Sequence, residues 1–249
     1  MKNIKHPYGN AKSLILKSFK KFLQYFIKFF VNFFCKLDDH DEIIISSATH
    51  SPWLRDKSFY IFFNKIRNFT LLDYPRAYTL WQCANNVKEM NGMILDIGCL
   101  LGGSGFIMSK ANKNGVIHLF DSFEGFKKDD GLHKKDIFFY EDINFVKQNI
   151  KKLKLKNTFV HKAYFPKNIK MKIKKIKLCH IDVNTYEDTK KIFNYIEKKI
   201  VIGGIVVFDD FGIWGVDGIK KFIYEIEKIY RNKFYFIKNY MGQCILIKK

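Results

Sequence analysis

The segment MILDIGCLLGGSG at 93–105 decides the fold. Its first six residues are a short apolar run ending on an acid and a glycine, which reads as a strand. Gly98 permits a tight turn, and Gly102 and Gly103 let the backbone approach a ligand closely. GSGFIMSKAN at 103–112 then opens a helix. The alternation repeats outward from this point. Ahead of it, Arg76 to Val87 reads as a helix. Behind it come a strand VIHLFD at 116–121, an acidic loop containing glycine, and a helix over about 141–152. TFVHKA at 158–163 and IKLCHID at 176–182 are further strands, and Tyr186 to Lys199 is a helix. A Gly203-Gly204 turn leads into the strand IVVFDD at 205–210, and Asp217 to Tyr230 is helical. KFYFIK at 233–238 and QCILIK at 243–248, separated by Asn239 to Gly242, read as a closing antiparallel pair. Strands alternating with helices predict an α/β, Rossmann-like domain. Its sheet has seven strands, mainly parallel, with a C-terminal antiparallel hairpin and helices on both faces.

Ligands of such sheets bind outside the carboxyl ends of the strands. Asp121, Asp182 and the pair Asp209-Asp210 end three of these runs, and Asp96 lies near the end of a fourth. All of them are therefore expected at one edge of one sheet. In VVFDDFG at 206–212, two like charges stand side by side at the mouth of a core strand, an arrangement that a cation would relieve. The loop after 93–98 lacks the GxGxxG spacing of a dinucleotide pyrophosphate site, which counts against a nicotinamide-dependent oxidoreductase. Asp96 is a poor neighbour for phosphate and a good one for a cation. S-adenosylmethionine carries an ammonium and a sulfonium and no phosphate. Asp121 is placed to accept hydrogen bonds from a ribose diol. Ser104 and the helix N-terminus behind it suit the methionine carboxylate. The bland alternative is a glycine turn used only for packing.

Five segments carry a family resemblance: LDIGCLLGGS (95–104), LFDSFEGF (119–126), YFPKNI (164–169), HIDVNTYEDT (180–189) and GGIVVFDDFGIWGVDGIKKFI (203–223). Together they resemble the macrocin-type family of S-adenosylmethionine-dependent O-methyltransferases, over roughly residues 67–248. The resemblance implies the class I methyltransferase fold and magnesium-dependent methylation of a sugar hydroxyl. The acceptor would be a nucleotide sugar, a surface polysaccharide or a glycosylated small molecule. It assigns Asp96, Gly98, Gly102, Gly103 and Ser104 to the methionine-binding loop, Asp121 and Ser122 to the ribose turn, and Asp182, Asp209 and Asp210 to the metal. One position departs from the family pattern Asp-x-Asp-Leu-Tyr: the second acid is Asn184 here.

Magnesium prefers oxygen ligands, and the chain has no Cys/His cluster with the spacing for a softer metal. A sugar diol could chelate the ion, which would lower the pKa of a coordinated hydroxyl. Asp182 is then the expected base that receives the proton. His133, in DDGLHKKD, could reach in as part of a lid, but reads as a solvated loop histidine. His161 and His180 read as core strand residues, and Tyr186 as packing at a helix start. A catechol or phenol acceptor is the alternative within methyltransferases. A non-catalytic basic protein binding membrane or nucleic acid on the same fold is the alternative outside them, and the presence of all three metal acids argues against it.

The chain has 249 residues, 47% of them hydrophobic, enough for a substantial core, and a formal charge of +20. Nearly all the positive charge is lysine; the arginines are Arg55, Arg67, Arg76 and Arg231. Arginine is the preferred group for bidentate phosphate and base contacts, so no nucleic-acid partner is expected. The five cysteines are scattered, which fits a reducing cytoplasm. Residues 13–37 differ in composition from the rest. Lys17, Lys20, Lys21, Gln24, Lys28, Asn32 and Lys36 recur every three or four residues opposite a broad phenylalanine-rich face. This is a basic amphipathic helix that could contact a membrane surface, pack on the domain, or pack on a second copy. Its longest charge-free run, Phe29 to Cys35, is too short for a spanning segment, and it lacks the form of a signal peptide. The expected organisation is an N-terminal helix and linker over 1–52 and a methyltransferase domain over 53–249, with a homo-oligomer in the cytoplasm or at the inner face of the membrane.

Overall fold

The computed structural model of the chain describes residues 11–35, 50–125, 142–213 and 216–249. The chain divides into two units, Met1–Ser51 and Pro52–Lys249. The first contains one described helix, α1 (Ala11–Cys35). The second begins with α2 (Pro52–Arg55), α3 (Lys57–Ile66) and α4 (Tyr74–Asn86). The alternating part follows as β1 (Met93–Ile97), α5 (Gly103–Ala111), β2 (Ile117–Asp121), α6 (Ile143–Lys152), β3 (Thr158–Lys162) and β4 (Ile176–Ile181). It closes with α7 (Tyr186–Ile196), β5 (Ile200–Phe208), α8 (Asp217–Tyr230), β6 (Phe234–Lys238) and β7 (Cys244–Lys248). No described helix is long and apolar enough to cross a membrane.

Local chemistry sets the helix starts. Asp56 accepts from the Phe59 N–H at 3.0 Å to cap α3, and Asp73 accepts from the Arg76 N–H at 2.8 Å to cap α4. Pro75 sits in the first turn of α4, where its missing N–H costs nothing. Thr185 caps α7 by accepting from the Asp188 N–H at 3.2 Å. Helices α2 and α3, ahead of the predicted alternation, were not foreseen in the sequence. Helix α3 packs the fully buried Phe59, Phe63 and Ile66 into the core.

The sheet order is β3-β2-β1-β4-β5-β7-β6. Strands β1 to β5 are parallel, and β7 runs antiparallel between β5 and β6. Successive strand residues alternate between two cores, as parallel strands covered on both faces must. Ile94, Leu178 and Val207 face a cluster with Phe63, Leu80 and Phe106. Leu95, Cys179 and Val206 face one with Phe193, Phe222 and Ile223. Each fully buried phenylalanine contributes roughly 1.5–3 kcal/mol of transfer free energy.

One expectation is corrected. Gly203 and Gly204 form no turn ahead of a strand; both lie inside β5. Pairing with β4 jumps from Ile176↔Ile200 to Leu178↔Ile205, and Gly203 has φ +75°. The glycines build a bulge that absorbs extra residues without ending the strand. Strand order reverses at β1, flanked by β2 on one side and β4 on the other, and a crevice opens where the crossovers diverge.

Candidate active site

A cavity of about 340 Å³ occupies that crevice. Gly98, Leu100, Asp121 and Ser122 line one side; Asp182, Asn184, Asp188, Asp210 and Arg76 line the other. Phe69, Leu71, Leu72 and Phe165 supply apolar walls.

The loop leaving β1 is fixed by what its glycines touch. Gly98 has φ +89°, and a Cβ there would lie 1.8 Å from the Asp182 carbonyl oxygen. Only glycine lets this loop cross in front of β4. A Cβ on Gly102 would meet the Phe106 ring and Val146, and one on Gly103 would meet the Phe69 carbonyl at 2.3 Å. The close approach expected at Gly102 and Gly103 is thus to the protein itself, and neither residue lines the cavity.

Asp121 takes the Leu100 N–H on one oxygen and the Phe123 N–H on the other, both at 2.8 Å. Leu100 and Phe123 adopt left-handed φ values of +46° and +57° to reach it. Burial raises the proton affinity of Asp121, opposed by these backbone N–H groups. Its carboxylate lines the cavity beside Ser122. Asp96 does not line it: the side chain is fully buried. Ser104 Oγ donates to one Asp96 oxygen at 2.7 Å, and His180 Nδ1 lies 2.8 Å from the other. Ser104 itself reaches the cavity. Asp96 therefore braces the loop from beneath.

The three acids predicted as metal ligands come together at the ends of β4 and β5. Asp182 and Asp210 line the cavity, and Asp209 lies just behind with 2% exposure. Two cations that sequence reading did not assign to the site sit among them. Arg76 Nη1 lies 3.3 Å from Asp209 Oδ1 and 3.3 Å from Asp210 Oδ1, bridging the pair. His180 Nε2 lies 3.5 Å from Asp209 Oδ2, so the buried imidazole links Asp96 to Asp209. Burial alone would push the pKa of His180 down, but the adjacent Asp209 and Asp96 carboxylates outweigh it and carry it up to about 10. Burial raises Asp182 well above the ordinary carboxylate range, and the neighbouring Asp209 and Asp210 raise it further. Asp209 titrates below its ordinary value: burial opposes this, but the adjacent His180 and Arg76 prevail.

Two residues past the strand ends are in left-handed conformations, Asn184 at φ +58° and Asp210 at φ +59°. Asn and Asp tolerate this region better than other non-glycine residues. The Asn184 amide oxygen is buried without a hydrogen-bond partner in the structure. Asp188, one turn into α7, accepts from Thr185 Oγ1 at 3.0 Å and from Tyr164 Oη at 3.5 Å. Tyr186 packs at the start of α7 and donates to Glu225 on α8 at 2.5 Å. His133 lies outside the described residues.

The metal test turns on charge. Asp96, Asp182, Asp209 and Asp210 converge here, and Arg76 and His180 supply two positive charges against them. Asp209 Oδ2 has no hydrogen-bond donor, and one ligand atom each from His180, Asp182 and Asp209 lies within 4.8 Å of the others. His180 directs one ring nitrogen at Asp96 and the other at Asp209, which leaves carboxylate oxygens as the available donors. An oxygen-rich, under-neutralised cluster fits a hard dication.

A sheet of this order, with a glycine turn after β1 and an acid closing β2, defines the class of S-adenosylmethionine-dependent methyltransferases. The model of the Macrocin-O-methyltransferase (TylF) family matches residues 66–233, and the chain belongs to that family. It is an S-adenosylmethionine-dependent O-methyltransferase. Solved structures share the fold at low identity. The O-methyltransferase NovP is 16% identical with a TM-score of 0.64, over 73% of this chain and 82% of that one. TomG from Streptomyces achromogenes, an O-methyltransferase involved in tomaymycin synthesis and solved with S-adenosylmethionine, is 13% identical with a TM-score of 0.54, over 92% and 98%. The Podospora anserina methyltransferase PaMTH1, bound to S-adenosylhomocysteine, is 12% identical with a TM-score of 0.58, over 84% and 99%. A search of curated proteins finds no match.

Proposed function

We propose that the domain over 53–249 transfers the methyl group of S-adenosylmethionine to a sugar hydroxyl, with Mg2+ held by Asp182, Asp209 and Asp210. The observation that carries this reading is the excess of buried carboxylate over Arg76 and His180 at the edge of the cavity. Bound there, a dication would lower the pKa of a coordinated hydroxyl and so ease its deprotonation.

The chain's own groups do the rest. Asp121 and Ser122 hold the ribose, and Gly98 and Ser104 form the floor for the methionine portion, braced by Asp96, Gly102 and Gly103. Arg76 keeps Asp209 and Asp210 in fixed relation, so the acids need not reorganise when substrate arrives. Phe69, Leu71, Leu72 and Phe165 exclude water from the sulfonium. The acceptor oxygen attacks the methyl carbon in line, the carbon–sulfur electron pair returns to sulfur, and S-adenosylhomocysteine leaves. Asp182 receives the hydroxyl proton. Asn184 stands where the family pattern has an acid, so it can orient a sugar hydroxyl but cannot take its proton at neutral pH.

Asp210→Asn tests the assignment. Calorimetry should show Mg2+ binding lost, S-adenosylmethionine binding kept within a few-fold, and methyl transfer reduced on the order of 100-fold or more. Full activity in this variant would refute the metal site.

A further inference from the structure

Helix α1 presents an apolar face that nothing among its described residues covers. Ile15, Phe19, Phe22, Phe26, Phe29 and Phe33 recur at intervals of four and three, so they form one stripe. Each is more than half exposed, from 52% at Phe26 to 75% at Phe33. Tyr25, Phe30 and Phe34 widen the stripe and are exposed as well. Lys21 and Lys28 stand exposed on the other side, and the helix contains no acidic residue.

Two occupants suit an apolar helix face: a second helix or a lipid surface. A stripe repeating every three and four residues would suit a coiled coil if charged residues of opposite sign flanked it. Here the flanking positions carry Ser18, Leu23, Tyr25 and Phe30. The apolar surface is too broad for a two-helix seam and has no charge pairing to set one. A broad aromatic face backed by lysine, on a helix not long and apolar enough to cross a bilayer, matches the interface of an anionic membrane. At 25 residues, about 38 Å, the helix can lie flat with the whole stripe immersed.

We propose that α1 is a peripheral membrane anchor. Its phenylalanines enter the acyl boundary and its lysines pair with anionic headgroups. The proposal does not depend on the metal or the acceptor.

Flotation of the full chain with vesicles tests it, using phosphatidylcholine alone or mixed with phosphatidylglycerol. Binding to the mixed vesicles should be tighter by about tenfold or more, and should weaken in raised salt. The combined change Phe22→Ser, Phe26→Ser, Phe29→Ser should reduce that binding by about tenfold or more. S-adenosylmethionine affinity should be unchanged, which shows that the domain still folds. Equal binding to both vesicle types would overturn the anionic-surface assignment. Binding that survives the triple change would place it on the general basic surface and overturn the role of α1. Absence of vesicle binding, with a concentration-dependent dimer lost in the triple variant, would show that a second copy covers the face.

Discussion

At the scale of single residues, the site is an arrangement of unlike charges. Arg76 is the residue on which it turns, because one guanidinium nitrogen faces both Asp209 and Asp210. Removing one partner of a largely buried pair leaves the others uncompensated. Arg76→Ala should therefore lower stability by about 2 kcal/mol without metal, or about 4–8 °C in melting temperature. Added Mg2+ should recover more of that loss in the variant than it adds to the parent, because the ion restores the missing positive charge. Thermal melts with and without Mg2+ read both effects, and an unchanged melting temperature would remove Arg76 from the site. The three acids were legible in the sequence because each closes an apolar run. Arg76 carried a faint signal, being one of four arginines in a chain that otherwise uses lysine. His180 carried none: a histidine inside an apolar strand looks the same whether it packs or bridges Asp96 to Asp209 across β1, β4 and β5.

Among elements, strands β2 and β3 are tied by a histidine pair. His118 Nδ1 lies 2.9 Å from His161 Nε2, and the His118 ring stacks on Phe159. Burial, with a smaller contribution from His161, lowers the pKa of His118 to about 4. The ordinary histidine value is about 6.5, so between these values the unfolded chain binds more protons than the folded one. The contribution of His118 to stability is therefore complete above about pH 6.5 and falls as pH drops toward 4. Melting temperature should decline across that window, and His118→Asn should decline less steeply; parallel pH profiles would show that the pair does not contribute. The strands themselves were readable from their apolar runs. The bulge in β5 was not, because a Gly-Gly pair signals a turn and a bulge equally until the partner strand is known. Helices α2 and α3 were missed because they precede the periodic alternation and are short.

For the molecule as a whole, alternation implied a mainly parallel sheet closed by an antiparallel pair, but not the order of its strands. The sequence could not show which cavity residues face each other. The loop glycines illustrate the gap: their spacing suggested a cradle for ligand, whereas Gly102 and Gly103 admit Phe106, Val146, the Phe69 carbonyl and the Thr70 side chain. Length, charge and hydrophobic content were compatible with several functions; the convergence of acids on one sheet edge selected among them. The most direct test of the central claim is methyl transfer from S-adenosylmethionine to a panel of nucleotide sugars and glycans, with EDTA and after Mg2+ is restored. Turnover of a sugar acceptor that stops in EDTA and returns with Mg2+ is the expected result. Turnover that proceeds unchanged in EDTA would contradict it.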